Sequence, residues 1–117
     1  MRATSLHTTL NRANIQAALA DLKAGLVALY GNNLRHLVLY GSYARGSARP
    51  GSDLDVAAVL DDFERPWPVI DRTGGLVAEL SLKHGITISL IPVRRSDWER
   101  QRTLLAKSLH REGVEVG

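Results

Sequence analysis

Two short apolar runs dominate the middle of the chain, His36 to Tyr40 and Leu54 to Leu60, and a polar stretch closed by two aspartates separates them. From Gly41 to Val59 the residues read GSYARGSARPGSDLDVAAV. Runs this short, apolar throughout and bounded by turn residues, predict strands buried on both faces. Gly41 ends the first. Ser42-Tyr43-Ala44-Arg45 predicts a short helix, and Ala48-Arg49-Pro50-Gly51-Ser52 is a loop by composition. Asp53 and Asp55 stand at the start of the second strand. The stretch therefore brings a Gly-Ser turn and two carboxylates together within a few residues.

The flanking segments supply the rest of the scaffold. Thr8 or Thr9 can cap a helix that runs to about Tyr30. Leu10, Ala13, Ile15, Ala17, Ala18, Leu19, Leu22, Leu26 and Leu29 give it a helical apolar pattern, and Gly31-Asn32-Asn33 stops it. Asp61-Asp62 ends the second strand. After a loop at Glu64-Arg65-Pro66-Trp67-Pro68, a helix with Pro68 in its first turn runs to about Lys83. Gly74-Gly75 predicts a break or kink in it, because each glycine costs ~1 kcal/mol relative to alanine. Ile86 to Val93, ITISLIPV, is a third strand. Ser96 or Asp97 caps a helix through Trp98 to about Ala106, and a final turn or helix, Lys107 to Arg111, precedes a short tail. Three strands interleaved with helices predict an α/β-type sheet covered mainly on one face. The pattern leaves strand direction open.

A chain of 117 residues is expected to form one domain, residues 1–117. The absence of cysteine excludes disulfides and thiolate metal sites. No apolar run approaches the roughly 20 residues that span a bilayer, and the N-terminus lacks the apolar core of a signal peptide. These features predict a soluble cytoplasmic protein with no membrane partner. The formal charge of +3 suits a solvated surface or attraction to an anionic ligand. Aromatic residues are few and none alternates with a basic patch, which argues against a nucleic-acid platform.

The chemistry lies in the central stretch. Residues i and i+2 of a strand face one side, so Asp53 and Asp55 project together. Two carboxylates this close repel, and one stays protonated unless a cation lies between them. Magnesium is the natural neutraliser, since it takes oxygen ligands and combines one or two carboxylates with substrate phosphates. Gly41 lets a phosphate approach the backbone. Ser42 offers a hydroxyl, the following helix start offers N–H groups, and Arg45 and Arg49 are cations able to engage phosphate oxygens. Tyr43 is read as a packing residue, with stacking on a nucleobase as the alternative. His7, His36, His84 and His110 lack metal-ligand spacing and read as boundary residues. Trp67 and Trp98 are expected to cover the core edge.

Gly41-Ser42, ten intervening residues and then Asp53-x-Asp55 resemble the signature of the nucleotidyltransferase superfamily that includes DNA polymerase beta and kanamycin nucleotidyltransferase. The fuller stretch is similar to its minimal branch, the MNT proteins found beside HEPN-domain proteins, and ITISLIPV and the closing HREGVEV extend the likeness over most of the chain. The resemblance implies an α+β nucleotidyltransferase fold, a mixed sheet of at least three strands packed against helices. It implies that Gly41, Ser42 and Arg45 bind the triphosphate of ATP and that Asp53 and Asp55 are the catalytic pair and hold magnesium. It further implies transfer of AMP to a hydroxyl, with a tyrosine of a HEPN toxin as acceptor and an antitoxin role for the chain. So short a chain would build a small-molecule acceptor pocket only as a homo-oligomer. One position departs from the pattern. The family commonly carries a third carboxylate on the next strand, and Ser89 stands there. The rival expectation is thus a catalytically weak binding module that neutralises its partner by occlusion.

Overall fold

The computed structural model describes residues 3–117, with side chains from residue 13 onward. A long helix α1 (Ala3–Tyr30) is followed by one 3-10 turn and strand β1 (Leu34–Tyr40). Then come the short helix α2 (Gly41–Arg45), β2 (Leu54–Leu60), α3 (Trp67–His84) and β3 (Ile88–Arg94). Helices α4 (Arg95–Arg100) and α5 (Leu104–Glu112) and the two-residue strand β4 (Val114–Glu115) complete the chain. The helix backbone starts upstream of Thr8 and Thr9, so neither is its first cap. The Leu10 side chain expected in its apolar stripe, and His7, lie outside the described side chains.

The strands form one mixed sheet in the order β3-β2-β1-β4. β1 and β2 are antiparallel, so the turn, helix and loop between them make a hairpin-like return. β2 and β3 are parallel, joined by the crossover helix α3, which a parallel pair requires. Pro92 is tolerated in β3 because that strand lies at the sheet edge. β4 was expected only as a tail. It pairs antiparallel with β1, and the Val116 N–H donates to the Leu37 carbonyl (2.8 Å).

Strand alternation sends side chains to two cores. Leu37, Leu54, Val56, Ala58, Leu60 and Ile88 meet Ala18, Leu22 and Leu26 of α1 and Val69 and Leu80 of α3. On the other face Val38, Ala57, Val59 and Val93 pack on Leu109, with Trp98 and Leu105 beside them. Coverage is therefore two-sided, with the larger layer on the α1–α3 face. α3 runs unbroken through Gly74-Gly75, because burial of Val69 and Leu80 outweighs the glycine cost, and the Thr73 hydroxyl donates to the Val69 carbonyl (2.8 Å). Gly25 lets α1 and α3 approach: a Cβ there would lie 2.6 Å from a Leu76 methyl.

The C-terminal helices divide differently from expectation. The break falls at Gln101, in the left-handed region at φ 50°, and Thr103 caps α5 by accepting from the Ala106 N–H (3.0 Å). Ala106 and Lys107 thus belong to one helix. Ser96 and Asp97 lie within the first turn of α4 rather than capping it. The Ser96 N–H donates instead to the Asp62 carboxylate (3.0 Å), a partner distant in sequence that local pattern does not reveal. Trp98 covers the core edge, between His36 and His110, whereas Trp67 is two-thirds exposed (67%) at the start of α3.

Candidate nucleotide-transfer site

Antiparallel pairing sets Tyr40 opposite Asp55, and parallel pairing sets Asp55 opposite Ser89. Side chains directly opposite share a face. Tyr40, Asp55 and Ser89 therefore form a row across three strands, on the face that carries Ala57 and Val59. Asp53 lies one residue before β2, exposed, at the same end. The Leu54 N–H donates to the Thr87 carbonyl (2.8 Å) and pins that end of β2 beside the segment leading into β3.

The Gly-Ser turn is built against the same carboxylate. Gly41 has φ +72°, the left-handed region, and opens α2. A Cβ at this position would collide with the Asp55 carboxylate, whose Cγ would be 3.1 Å away. Glycine is needed here twice over, for its backbone angle and for the space. Ser42 sits in the first turn of α2, half-buried, and its carbonyl accepts from the Ser47 N–H (2.9 Å). Beyond the helix the loop closes with a β-turn: the Ser52 N–H donates to the Arg49 carbonyl and the Arg49 N–H to the Ser52 hydroxyl, both at 2.9 Å. Pro50 and Gly51, the latter at φ +90°, occupy the central positions such a turn favours.

The electrostatics mark this end of the sheet as anion-crowded. Burial pushes the Asp55 carboxyl above the usual carboxylate range, the negative charge of Asp53 adds to that, and Arg45 opposes it. Burial also raises the Tyr40 phenol, and the charge on Asp55 raises it further. Among the described residues neither Asp53 nor Asp55 has an ion-pair partner. No group of three or more His, Cys, Asp or Glu able to hold a metal is formed among them. Asp71 and Glu79 are exposed on α3, the helix that covers the opposite face, and bring no third acid to the pair. Two carboxylates without an ion-pair partner are a donor set that fits a hard, oxygen-preferring divalent cation, with the remaining positions left for water or phosphate.

The site residues expected from sequence thus converge: Gly41, Ser42, Asp53 and Asp55 meet at one end of β1 and β2, and Arg45 is near enough to act on Asp55. Tyr43 departs from them. It is half-buried against the α1–α3 core on the opposite face, the packing role expected for it. Tyr40 was not singled out in sequence. Its place beside Asp55 depends on the β1–β2 register, and only its position immediately before the Gly-Ser turn hinted at it.

A family model described as a nucleotidyltransferase domain matches residues 20–115. The chain belongs to this nucleotidyltransferase family. One curated relative, named "Putative protein adenylyltransferase", is from Methanocaldococcus jannaschii. It is 31% identical over 105 residues, covering 89% of this chain and 95% of its own length. A second protein of the same name and organism is 37% identical over 71 residues, 58% of this chain and 47% of its own. Among solved structures, a toxin–antitoxin crystal structure with AMP-PNP superposes with a TM-score of 0.59 at 19% identity, covering 82% of this chain and 70% of that one. A "putative nucleotidyltransferase" from Sulfolobus solfataricus superposes with a TM-score of 0.53 at 22% identity, covering 91% and 84%. At these identities the two structures speak for the fold. The α+β architecture and mixed sheet expected of the family are those observed. Among the described residues, no helix is long and apolar enough to cross a membrane.

Proposed function

We propose that this nucleotidyltransferase moves AMP from ATP to a hydroxyl of a partner protein, specifically a tyrosine of a HEPN-domain toxin, and so acts as an antitoxin. The observation that carries the reading is the contact of Gly41 with the Asp55 carboxylate, which joins the phosphate-type turn to the acidic pair. The names of the relatives support the adenylyl group and a protein acceptor, and the toxin–antitoxin neighbour supports the kind of partner.

In this reading Gly41 admits the triphosphate to the backbone, the Ser42 hydroxyl donates to a phosphate oxygen, and Arg45 offsets its charge. Asp53 and Asp55 would hold magnesium, which would neutralise the charge that builds up on the phosphates. The acceptor oxygen bonds to the α-phosphorus, the bond to the bridging oxygen breaks in line, pyrophosphate leaves, and the hydroxyl proton passes to solvent. Positioning and charge neutralisation carry most of such a transfer.

The experiment is incubation of the chain with ATP labelled at the α-phosphate, magnesium and a cognate HEPN protein. Label is expected on a tyrosine of the partner and is expected to be lost when Asp53 and Asp55 are both changed to Asn. Absence of label with folded proteins overturns the reading. The position of Ser89 beside Asp55 favours one alternative, a binding module that works by occlusion. That alternative requires the Asp53→Asn, Asp55→Asn chain to neutralise its partner as well as the parent does.

A further inference from the structure

A large cavity lies away from the carboxylates. It is a trough of about 1140 Å³ on the α1 face of the sheet, between α1, the loop after α2 and the C-terminal segment. Ile15 and Leu19 of α1 form one wall, Leu39 and Val116 the floor, and Tyr43 and Pro50 the other wall. None of these side chains is fully buried, so among the described residues part of this apolar surface is left uncovered. These half-buried apolar side chains, with exposed Val114 at the rim, line a concave surface of the kind that receives a partner. The volume exceeds the roughly 300–1,000 Å³ of small-molecule pockets, and a helix with side chains is about 10–12 Å across.

Charge on the rim selects the occupant. Lys23 and Arg49 stand on opposite walls, and Glu115 supplies the acidic side chain of the lining. Lys23 donates to the Val116 carbonyl (3.1 Å), which holds its ammonium group at the trough, and Arg49 has no described side-chain partner. The chain as a whole carries +3. We infer that this trough docks an amphipathic helix of a partner protein, its apolar stripe on Leu19, Leu39 and Val116 and its acidic side chains facing Lys23 and Arg49. Such helix-in-groove recognition is read through apolar anchors one helical turn apart. The trough lies on the face opposite Asp55, yet the loop that forms its wall leads directly into Asp53. A helix seated there grips the segment that carries the acidic pair while leaving the pair itself open. The inference goes beyond the transfer reaction and holds whether or not transfer occurs.

The test places the photocrosslinker p-benzoylphenylalanine at Ala24, which lines the trough, or at Ala78 on α3, which does not, in the full chain expressed in its own cells. After irradiation the adducts are digested and sequenced. The expected adduct at Ala24 is a segment of another protein with a helical apolar stripe flanked by Asp or Glu. Arg49→Glu alone, and with Lys23→Glu, is expected to cut the yield about tenfold or more, since like charges then face each other. Thermal melting checks that each variant is folded, and exposed Arg49 is the change least coupled to the fold. The Asp53→Asn, Asp55→Asn chain is expected to give the same adduct, which separates docking from transfer. An adduct with a second copy of this chain, with a basic or extended segment, or no excess over Ala78 overturns the inference. So does a yield indifferent to Arg49→Glu, or one that vanishes with the aspartates.

Discussion

Replacing Gly41 by Ala tests the join between the turn and the acidic pair, and two costs follow from the structure. The φ of +72° places a side chain in the left-handed region, at about 1 kcal/mol. The new Cβ also meets the Asp55 carboxylate, which must rotate away; an off-rotamer side chain costs about 1 kcal/mol more. Together these lower stability by about 2 kcal/mol, or roughly 8 °C in Tm for a domain of this size. Gly46 supplies the control. It has nearly the same backbone angle, φ +75°, but its Cβ would meet nothing within 4 Å. Gly46→Ala should therefore lose about 1 kcal/mol and roughly 4 °C. Activity should separate the two further. Moving a reacting group by about 1 Å costs roughly 10²-fold, so Gly41→Ala should lose about that in transfer rate while Gly46→Ala stays within a few-fold. Urea unfolding and a label-transfer assay measure both quantities. In the Asp55→Ala background the clash with the carboxylate is gone and only the 3.2 Å approach to Cβ remains, so Gly41→Ala should cost little beyond the backbone part, a coupling of about 1 kcal/mol. Equal losses for Gly41→Ala and Gly46→Ala in both assays, with no coupling to Asp55, would refute the argument.

Asp55 also predicts a pH dependence. Its carboxyl is raised above 3.8, chiefly by burial, so ionisation opposes folding: the penalty is absent below 3.8, grows through the folded-state value and is constant above it. Asp55→Asn should raise Tm at about pH 7 while abolishing transfer, and the gain should shrink as the pH falls toward 3.8; a gain that persists or grows in acid contradicts that sign. Ser89→Asp adds a carboxylate opposite Asp55 and should tighten manganese binding, read by electron paramagnetic resonance, and speed transfer by roughly 10²-fold as a base is supplied. Unchanged affinity and rate would show that position 89 is not where a third acid acts. Thr103→Ala removes the α5 cap and should cost about 1 kcal/mol in urea unfolding with no change in transfer.

The central stretch was legible because its signals are local. Apolar runs, the glycine at a strand end and the i, i+2 aspartates each report their own backbone, and β2 spans the expected Leu54 to Leu60. What escaped depends on partners distant in sequence. The place of Tyr40 beside Asp55 needs the β1–β2 register, and strand direction needs the whole sheet. β4 is two residues long and gains its identity only by pairing with β1. The break at Gln101 was missed because Ser96 and Asp97 are good local caps, whereas the Asp62 carboxylate and the Thr103 hydroxyl do the work in the fold. Gly74-Gly75 misled in the opposite sense, since local propensity yielded to packing.

Covering both faces of the sheet leaves little room for a reaction. α1 and α3 close one face, and α4 and α5 cover the other over Val38, Ala57, Val59 and Val93. Two residues before Ala57 on β2 that second core gives way to Asp55. The carboxylates therefore sit where the sheet emerges from its cover, partly dried by the core on one side and open to ligand on the other. That position raises the Asp55 carboxyl and leaves it and Asp53 without an ion-pair partner among the described side chains, Arg45 acting only from a distance. A fold seeking only stability would pair these charges. Leaving them unpaired beside a glycine turn costs stability and leaves the site free to receive a charged ligand, as expected where binding and stability compete. Ser89 limits that cost, because a third ionised carboxylate in the same row would add repulsion to a pair that already suffers it. Serine at this position thus makes the ligand-free chain easier to fold, and Ser89→Asp should show it as a lower Tm without metal, recovered when manganese is added.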